Sequence, residues 1–269
     1  MTRTTVSSRQ HAIVKRFKTA ARGADRCALI DGWHLLGEAH AAGLAIDLVA
    51  LTSDAAASPD ARVLDSLAAA TTIVTVTTSV MAALSPVRTP TGVVALVDRQ
   101  EASLGSALRP APALAVVAID LQDPGNTGAL VRASEAGGAT GVVLAGASAD
   151  PWGWKALRAS MGSTFRLPAI RTRDDARLMA ALVDSRVIPV AAIPKGGVAM
   201  DAVDFTQPTA LLIGGEGGGL PAPWLDRAVV RVSIPMAPSV ESLNVAIAAA
   251  VLVFEARRQR HGITDARER

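Results

Sequence analysis

The chain has 269 residues, half of them apolar, yet aromatics make up only 3% and tyrosine is absent, so alanine and valine must fill the core. That length allows two domains, and a net charge of +3 permits an anionic partner without requiring one. The single cysteine, Cys27, excludes an internal disulfide and a cysteine-cluster metal site, and reads as a small core residue. No apolar run approaches the roughly 20 residues that cross a bilayer, and the opening "MTRTTVSSRQ" lacks the apolar region of a secretory signal. A cytoplasmic protein with no metal and no membrane partner is the expectation.

Charge is unevenly placed along the chain. Arg3, Arg9, Lys15, Arg16, Lys18, Arg22 and Arg26 crowd the start, and Arg257, Arg258, Arg260, Arg267 and Arg269 crowd the end. Arg9, Lys15, Arg16 and Arg22 are candidate contacts to nucleic acid. Helical spacing follows in "RQHAIVKRFKTAAR", and "RCALIDG" reads as a short buried strand. "HLLGEAHAAG" is a helix closed by Gly43. "DLVALTS", "TTIVTVT" and "GVVALVD" are strands, with a helix around "DARVLDSLAAA". Residues 1–100 thus form a smaller α/β domain. The polar, proline-bearing stretch that follows supplies a linker over 101–112.

Residues 113–269 alternate again. "ALAVVAID", "GVVLAG", "RVIPVAAI", "ALLIGG" and "VVRVSIP" are apolar strands separated by helical stretches, which predicts an α/β domain around a parallel sheet covered on both faces. Ligands of such sheets lie beyond the carboxyl ends of the strands, and three loops are placed there. In "DLQDPGNTGALVRASEAGG", Pro124 and Gly125 form a turn, Asn126 or Thr127 caps the next helix, and Arg132 follows over one turn later. "ALLIGGEGGGLP" packs five glycines around Glu216. Its spacing fits neither a P-loop, since Leu220 and Pro221 stand where lysine and a hydroxyl residue belong, nor the dinucleotide fingerprint. In "SIPMAPSVESLNVAIAAAVLVFEARRQ", Ser242 or Glu241 starts a long apolar helix, with Asn244 in its first turn. Taken singly, the first two loops read better as ordinary turns and caps, and the third is reasonably read as a first-turn cap.

Together the three loops resemble the SpoU (TrmH-type) branch of the SPOUT RNA methyltransferases. The first motif is similar from Asp123 through Arg132, the second around Glu216, and the third around Ser242 and Asn244. "KALRASMGS" (155–163) resembles the stretch between motifs one and two. "TPTGVVALV" resembles the family's ribosomal-protein-like substrate-binding domain, where His11 stands in a place often held by asparagine. The resemblance implies a deep trefoil knot at the C-terminus, a homodimer, and S-adenosylmethionine held in a bent form mainly by backbone groups. Gly214, Gly215, Glu216, Gly219, Ile234, Met236, Leu243 and Asn244 are the implied cofactor contacts. The implied reaction is methylation of an RNA ribose 2′-hydroxyl, in large-subunit (23S) ribosomal RNA ahead of transfer RNA. Arg132 is implied as base or as phosphate clamp, positioned with Asn126, Glu216, Ser242 and Asn244. A non-catalytic RNA-binding protein on a decayed methyltransferase domain is the alternative.

Overall fold

The computed structural model describes residues 4–267; Arg3 and Arg269, counted among the basic ends, lie outside the described residues. The first hundred residues run β1 (Thr4–Val6), α1 (Ala12–Ala21), β2 (Cys27–Asp31), α2 (Trp33–Ala41), β3 (Ile46–Leu51), α3 (Ser53–Ala56), β4 (Thr72–Val76), α4 (Thr78–Leu84) and β5 (Val93–Asp98). The remainder runs α5 (Leu104–Leu108), β6 (Leu114–Ile119), α6 (Pro124–Ala136), β7 (Gly141–Ala145), α7 (Trp154–Ser160), β8 (Ala169–Thr172) and α8 (Asp175–Asp184). It closes with β9 (Ile188–Ala192), β10 (Val198–Ala199), β11 (Thr209–Gly214), α9 (Ala222–Leu225), β12 (Val230–Ser233) and α10 (Val245–Arg267).

Two compact units emerge, Met1–Gln100 with Trp152–Arg166, and Glu101–Pro151 with Leu167–Arg269. The first is a five-stranded sheet in the order β1-β4-β3-β5-β2, in which only β5 runs antiparallel to its neighbours. Its strands alternate between two cores. Ala28 and Ile30 pack on one face with α2, while Cys27 and Leu29 pack on the other with Phe17 of α1. Helix α2 ends as expected at Gly43, where the amide of Leu44 donates to the carbonyl of Ala39 and that of Gly43 to His40.

Several expectations need correction. The "DARVLDSLAAA" helix is a tight 3-10 stretch, Pro59–Ser66, in which only Leu64 is buried, so little packing supports a longer helix. The expected linker is partly folded: α5 lies within 101–112, and its Ala107 and Leu108 are buried in the second unit's core. Conversely, Trp152, Leu157 and Phe165 belong to the first unit, buried beside Leu35 and Val93. The strands β1, β8 and β10 have two to four residues, too few to display a period.

The second unit carries a seven-stranded sheet in the order β10-β12-β9-β11-β6-β7-β8, parallel at every pairing. Strand β6 is buried throughout. Leu114, Val116 and Ala118 face α6 and α10, whereas Ala115, Val117 and Ile119 face α5, α8 and α9. This two-sided cover is what the near-continuous apolar strands predict.

Candidate active site

The first loop begins where β6 ends. Asp123, not Asn126 or Thr127, caps α6: its Oδ1 accepts from the amide of Asn126 at 2.7 Å, and Pro124 fills the first helical position, where its missing N–H costs nothing. This correction places Asn126 as the third helical residue. The third loop also shifts by two residues. Neither Glu241 nor Ser242 starts α10; Asn244 does, its Oδ1 accepting from the amide of Ala246 at 2.9 Å and that of Ile247 at 3.4 Å.

The cap dictates the rest. With its oxygen held by the helix amides, Asn244 offers only its Nδ2, which donates to Asn126 Oδ1 at 3.0 Å. Asn126 is then left with Nδ2, which donates to Glu216 Oε1. A carboxylate can only accept, so the chain has one direction, from the α10 N-terminus through two amides to Glu216. Three segments separated by up to 118 positions in sequence are joined this way.

The glycine loop is brought to this point by backbone contact. Gly215 donates to the carbonyl of Ile119 at 2.7 Å and is bridged to Gly219. A Cβ on Gly214 would lie 2.0 Å from the carbonyl carbon of Gly219, and one on Gly215 would lie 2.2 Å from the carbonyl oxygen of Asp120. Two of the glycines therefore answer to the chain's own packing. Gly217 and Gly219 have φ of +81° and +64°, where glycine is favoured.

Beside the hydrogen-bonded chain lies a cavity of about 460 Å³, a size usual for small-molecule clefts. Gly214, Gly215, Glu216, Gly219, Ile234, Met236, Ser242, Leu243 and Asn244 all line it. The walls named by sequence are completed by Ala192, Ile193 and Pro194 at the end of β9 and by Val245, Ala248 and Leu252 of α10. The β9 contribution was missed, although "VAAIPKGG" marks an apolar strand breaking into a Pro-Gly turn. The helix residues follow from Asn244 being the cap, which turns the first α10 face toward the cavity.

Arg132 is not part of this set. It is exposed on α6, does not line the cavity, and makes no side-chain hydrogen bond or ion pair among the described residues. Of the N-terminal cations, Lys15 and Arg22 are exposed, and Arg9 donates to the carbonyl of Ser79 at 2.9 Å. Arg16, expected at an RNA surface, is instead committed to Asp47 and Asp25 and lies 3.4 Å from the sulfur of Cys27. Among the described residues no cluster of three or more His, Cys, Asp or Glu side chains could hold a metal ion. No described helix is long and apolar enough to cross a membrane.

Comparison with known proteins agrees with this architecture. The 23S rRNA (uridine(2479)-2′-O)-methyltransferase of Streptomyces viridochromogenes is 42% identical over 142 residues, 51% of this chain and 50% of that protein. The 23S rRNA (guanosine(2553)-2′-O)-methyltransferase RlmP of Bacillus subtilis is 35% identical over 148 residues, 55% of this chain and 59% of that one. These matches span about half the length of the curated relatives. Among solved structures, the SpoU methyltransferase AviRb of Streptomyces viridochromogenes, in complex with the cofactor AdoMet, superposes with a TM-score of 0.86 at 30% identity, covering 94% of this chain and 99% of that one. Residues 14–95 match the MRM3-like substrate binding domain. Residues 113–254, more than half of the sequence, match the SpoU rRNA methylase family, and the chain belongs to it.

Proposed function

We propose that the chain transfers the methyl group of S-adenosylmethionine to a ribose 2′-hydroxyl of ribosomal RNA, with the 23S molecule as substrate. The observation that carries this is the convergence of Asn126, Glu216 and Asn244 at the rim of the cavity. The lining fits the cofactor: Ile213, Ile234, Leu243 and Leu252 offer an apolar slot for a flat base, while the glycine loop presents peptide groups and Glu216 a carboxylate. Gly214, Gly215, Gly219, Met236 and Asn244 would complete the hold. When bound, S-adenosylmethionine supplies an electrophilic methyl group; the protein's task is to place a weakly acidic hydroxyl against it, whose proton passes to solvent water as the new bond to oxygen forms. Arg132, exposed and without a side-chain partner among the described residues, clamps the RNA phosphate and orients the ribose. Ser242, Asn126 and Glu216 form the wall against which the sugar is held. Lys15, Arg22 and Arg9 contribute sequence-independent attraction to RNA.

The same reading carries a trefoil knot at the carboxyl end, supported by the return of the chain after β12 to set Asn244 against Asn126. It also carries a cytoplasmic homodimer. Ile247 and Phe254, seven residues apart on α10 and 54% and 48% exposed, are apolar groups that a second copy would cover.

The test is to map 2′-O-methylated positions in ribosomal and transfer RNA with and without the gene. One ribosomal position disappears on deletion and stays absent with Arg132→Ala, whose folding is unchanged because the side chain is exposed and unbonded. Loss of a transfer-RNA site instead would redirect the substrate, and full methylation by Arg132→Ala would remove that residue from the mechanism. Failure to bind S-adenosylmethionine in calorimetry would leave an RNA-binding protein on a decayed site.

A further inference from the structure

Among the described residues, three that are not glycine have positive φ, Asp120 at 58°, Met161 at 51° and Arg186 at 53°. Two of them end helices. Met161 is the C-cap of α7, and Arg186 follows α8, where the amides of Arg186 and Val187 close onto Val183 and Leu182. Asp120 ends a strand. Nothing about a strand terminus asks for a left-handed residue, and such strain collects where geometry is set for function.

Asp120 lies at the meeting point of three strand ends. Its Oδ1 accepts from the amide of Ala147 at 2.7 Å, tying it to the turn after β7. That turn passes so close that a Cβ on Gly146 would lie 2.3 Å from the same oxygen. Its backbone carbonyl lies against Gly215, the residue before Glu216. One residue later Leu121 donates to Ser148 Oγ at 3.0 Å, fixing the start of the loop that delivers Asn126. Neither Asp120 nor its side chain lines the cavity.

We propose that Asp120 is the positioning residue of the methyl-transfer site. Its left-handed backbone aims the first loop, and its carboxylate anchors the start of that loop to the β7 turn, so that Asn126 meets Glu216. The proposal rests on the methyltransferase reading, and it acts through Asn126 rather than through the ligand. It therefore separates from a ligand-binding role. Asp120→Asn keeps both the tolerance for positive φ and an acceptor oxygen. Asp120→Gly keeps the backbone and loses the anchor. Asp120→Ala loses both.

The experiment measures three quantities on the full chain: kcat for RNA methylation, Kd for S-adenosylmethionine, and the side-chain amide resonances of Asn126 and Asn244 in the free protein. Asp120→Asn behaves like the parent in all three. Asp120→Gly remains folded and binds S-adenosylmethionine as the parent does, loses kcat by about 10²-fold, the cost typical of a misplacement near 1 Å, and shifts the Asn126 amide. Parental kcat and unshifted resonances in Asp120→Gly would overturn the proposal, as would a Kd that weakens in step with kcat. The amide readout needs neither cofactor nor RNA, so it judges Asp120 even if the parent chain methylates nothing.

Discussion

Alanine placed in turn along the glycine loop separates packing from conformational demand. At Gly214 the new Cβ would lie 2.0 Å, 2.2 Å and 2.3 Å from the carbonyl carbon and oxygen of Gly219 and the nitrogen of Leu220; at Gly215 it would lie 2.2 Å and 2.7 Å from the carbonyl oxygen and carbon of Asp120. Optimal carbon contacts lie near about 3.5–4.0 Å, so strand ends would have to part by roughly 1 Å. The obstacles are all backbone, so both substitutions fall at the upper end of overpacking costs, about 3 kcal/mol. At Gly217 nothing lies within 4 Å, but φ is +81°, which costs a side-chain-bearing residue about 1–2 kcal/mol. Gly218 has open space and no positive φ, and alanine there is neutral or stabilising by up to about 1 kcal/mol through the unfolded chain. Denaturant unfolding of the four variants, paired with calorimetry for S-adenosylmethionine, reads this order directly. If Gly215→Ala unfolds at the parent midpoint, or Gly218→Ala is as damaging as Gly214→Ala, the glycines are not there to let the chain approach itself.

Asn244→Asp keeps the helix cap and adds negative charge at an N-terminus, so stability holds; the lost donor sets a carboxylate against Asn126 Oδ1, and methylation falls by up to about tenfold, the worth of one side-chain hydrogen bond. Equal activity would detach the amide chain from function. Burial, then the bond to Asp98, pushes the Cys27 thiol up to about 12. The unfolded thiol ionises near 9.0 while the folded one stays neutral, so this contribution to stability is intact below pH 9 and is lost as pH rises from 9 toward 12. Thiol reagents should leave Cys27 untouched at pH 8 until the protein unfolds. Phe165 and Trp152, with ring centroids 5.9 Å apart, complete the first unit's core. Phe165→Ala should cost that unit about 3–5 kcal/mol, and residues 1–100 alone should show molten or aggregated behaviour by circular dichroism and light scattering; a cooperative transition in that fragment would show that the inserted segment is dispensable.

Sequence alone determined the α/β class, the parallel sheet of the second unit and the three loops that meet at its strand ends. These were legible because a strand buried on both faces must be a short continuous apolar run, and "ALAVVAID" and "ALLIGG" are such runs with polar loops attached. Only the tertiary structure decided what joins what. Asn126 and Asn244 are each explicable as caps until the acceptor of Asn244 is seen to be occupied by α10, which forces its amide toward Asn126 and thence to Glu216. The glycines looked like clearance for a ligand, whereas Gly214 and Gly215 clear the backbones of Gly219 and Asp120. Residues 152–166 looked continuous with their sequence neighbours but are buried in the other unit. Local periodicity carries the face a residue presents, because that depends on neighbours a few positions away. It carries no record of which distant strand ends close on each other, because that is settled by burial and hydrogen bonds across some hundred residues.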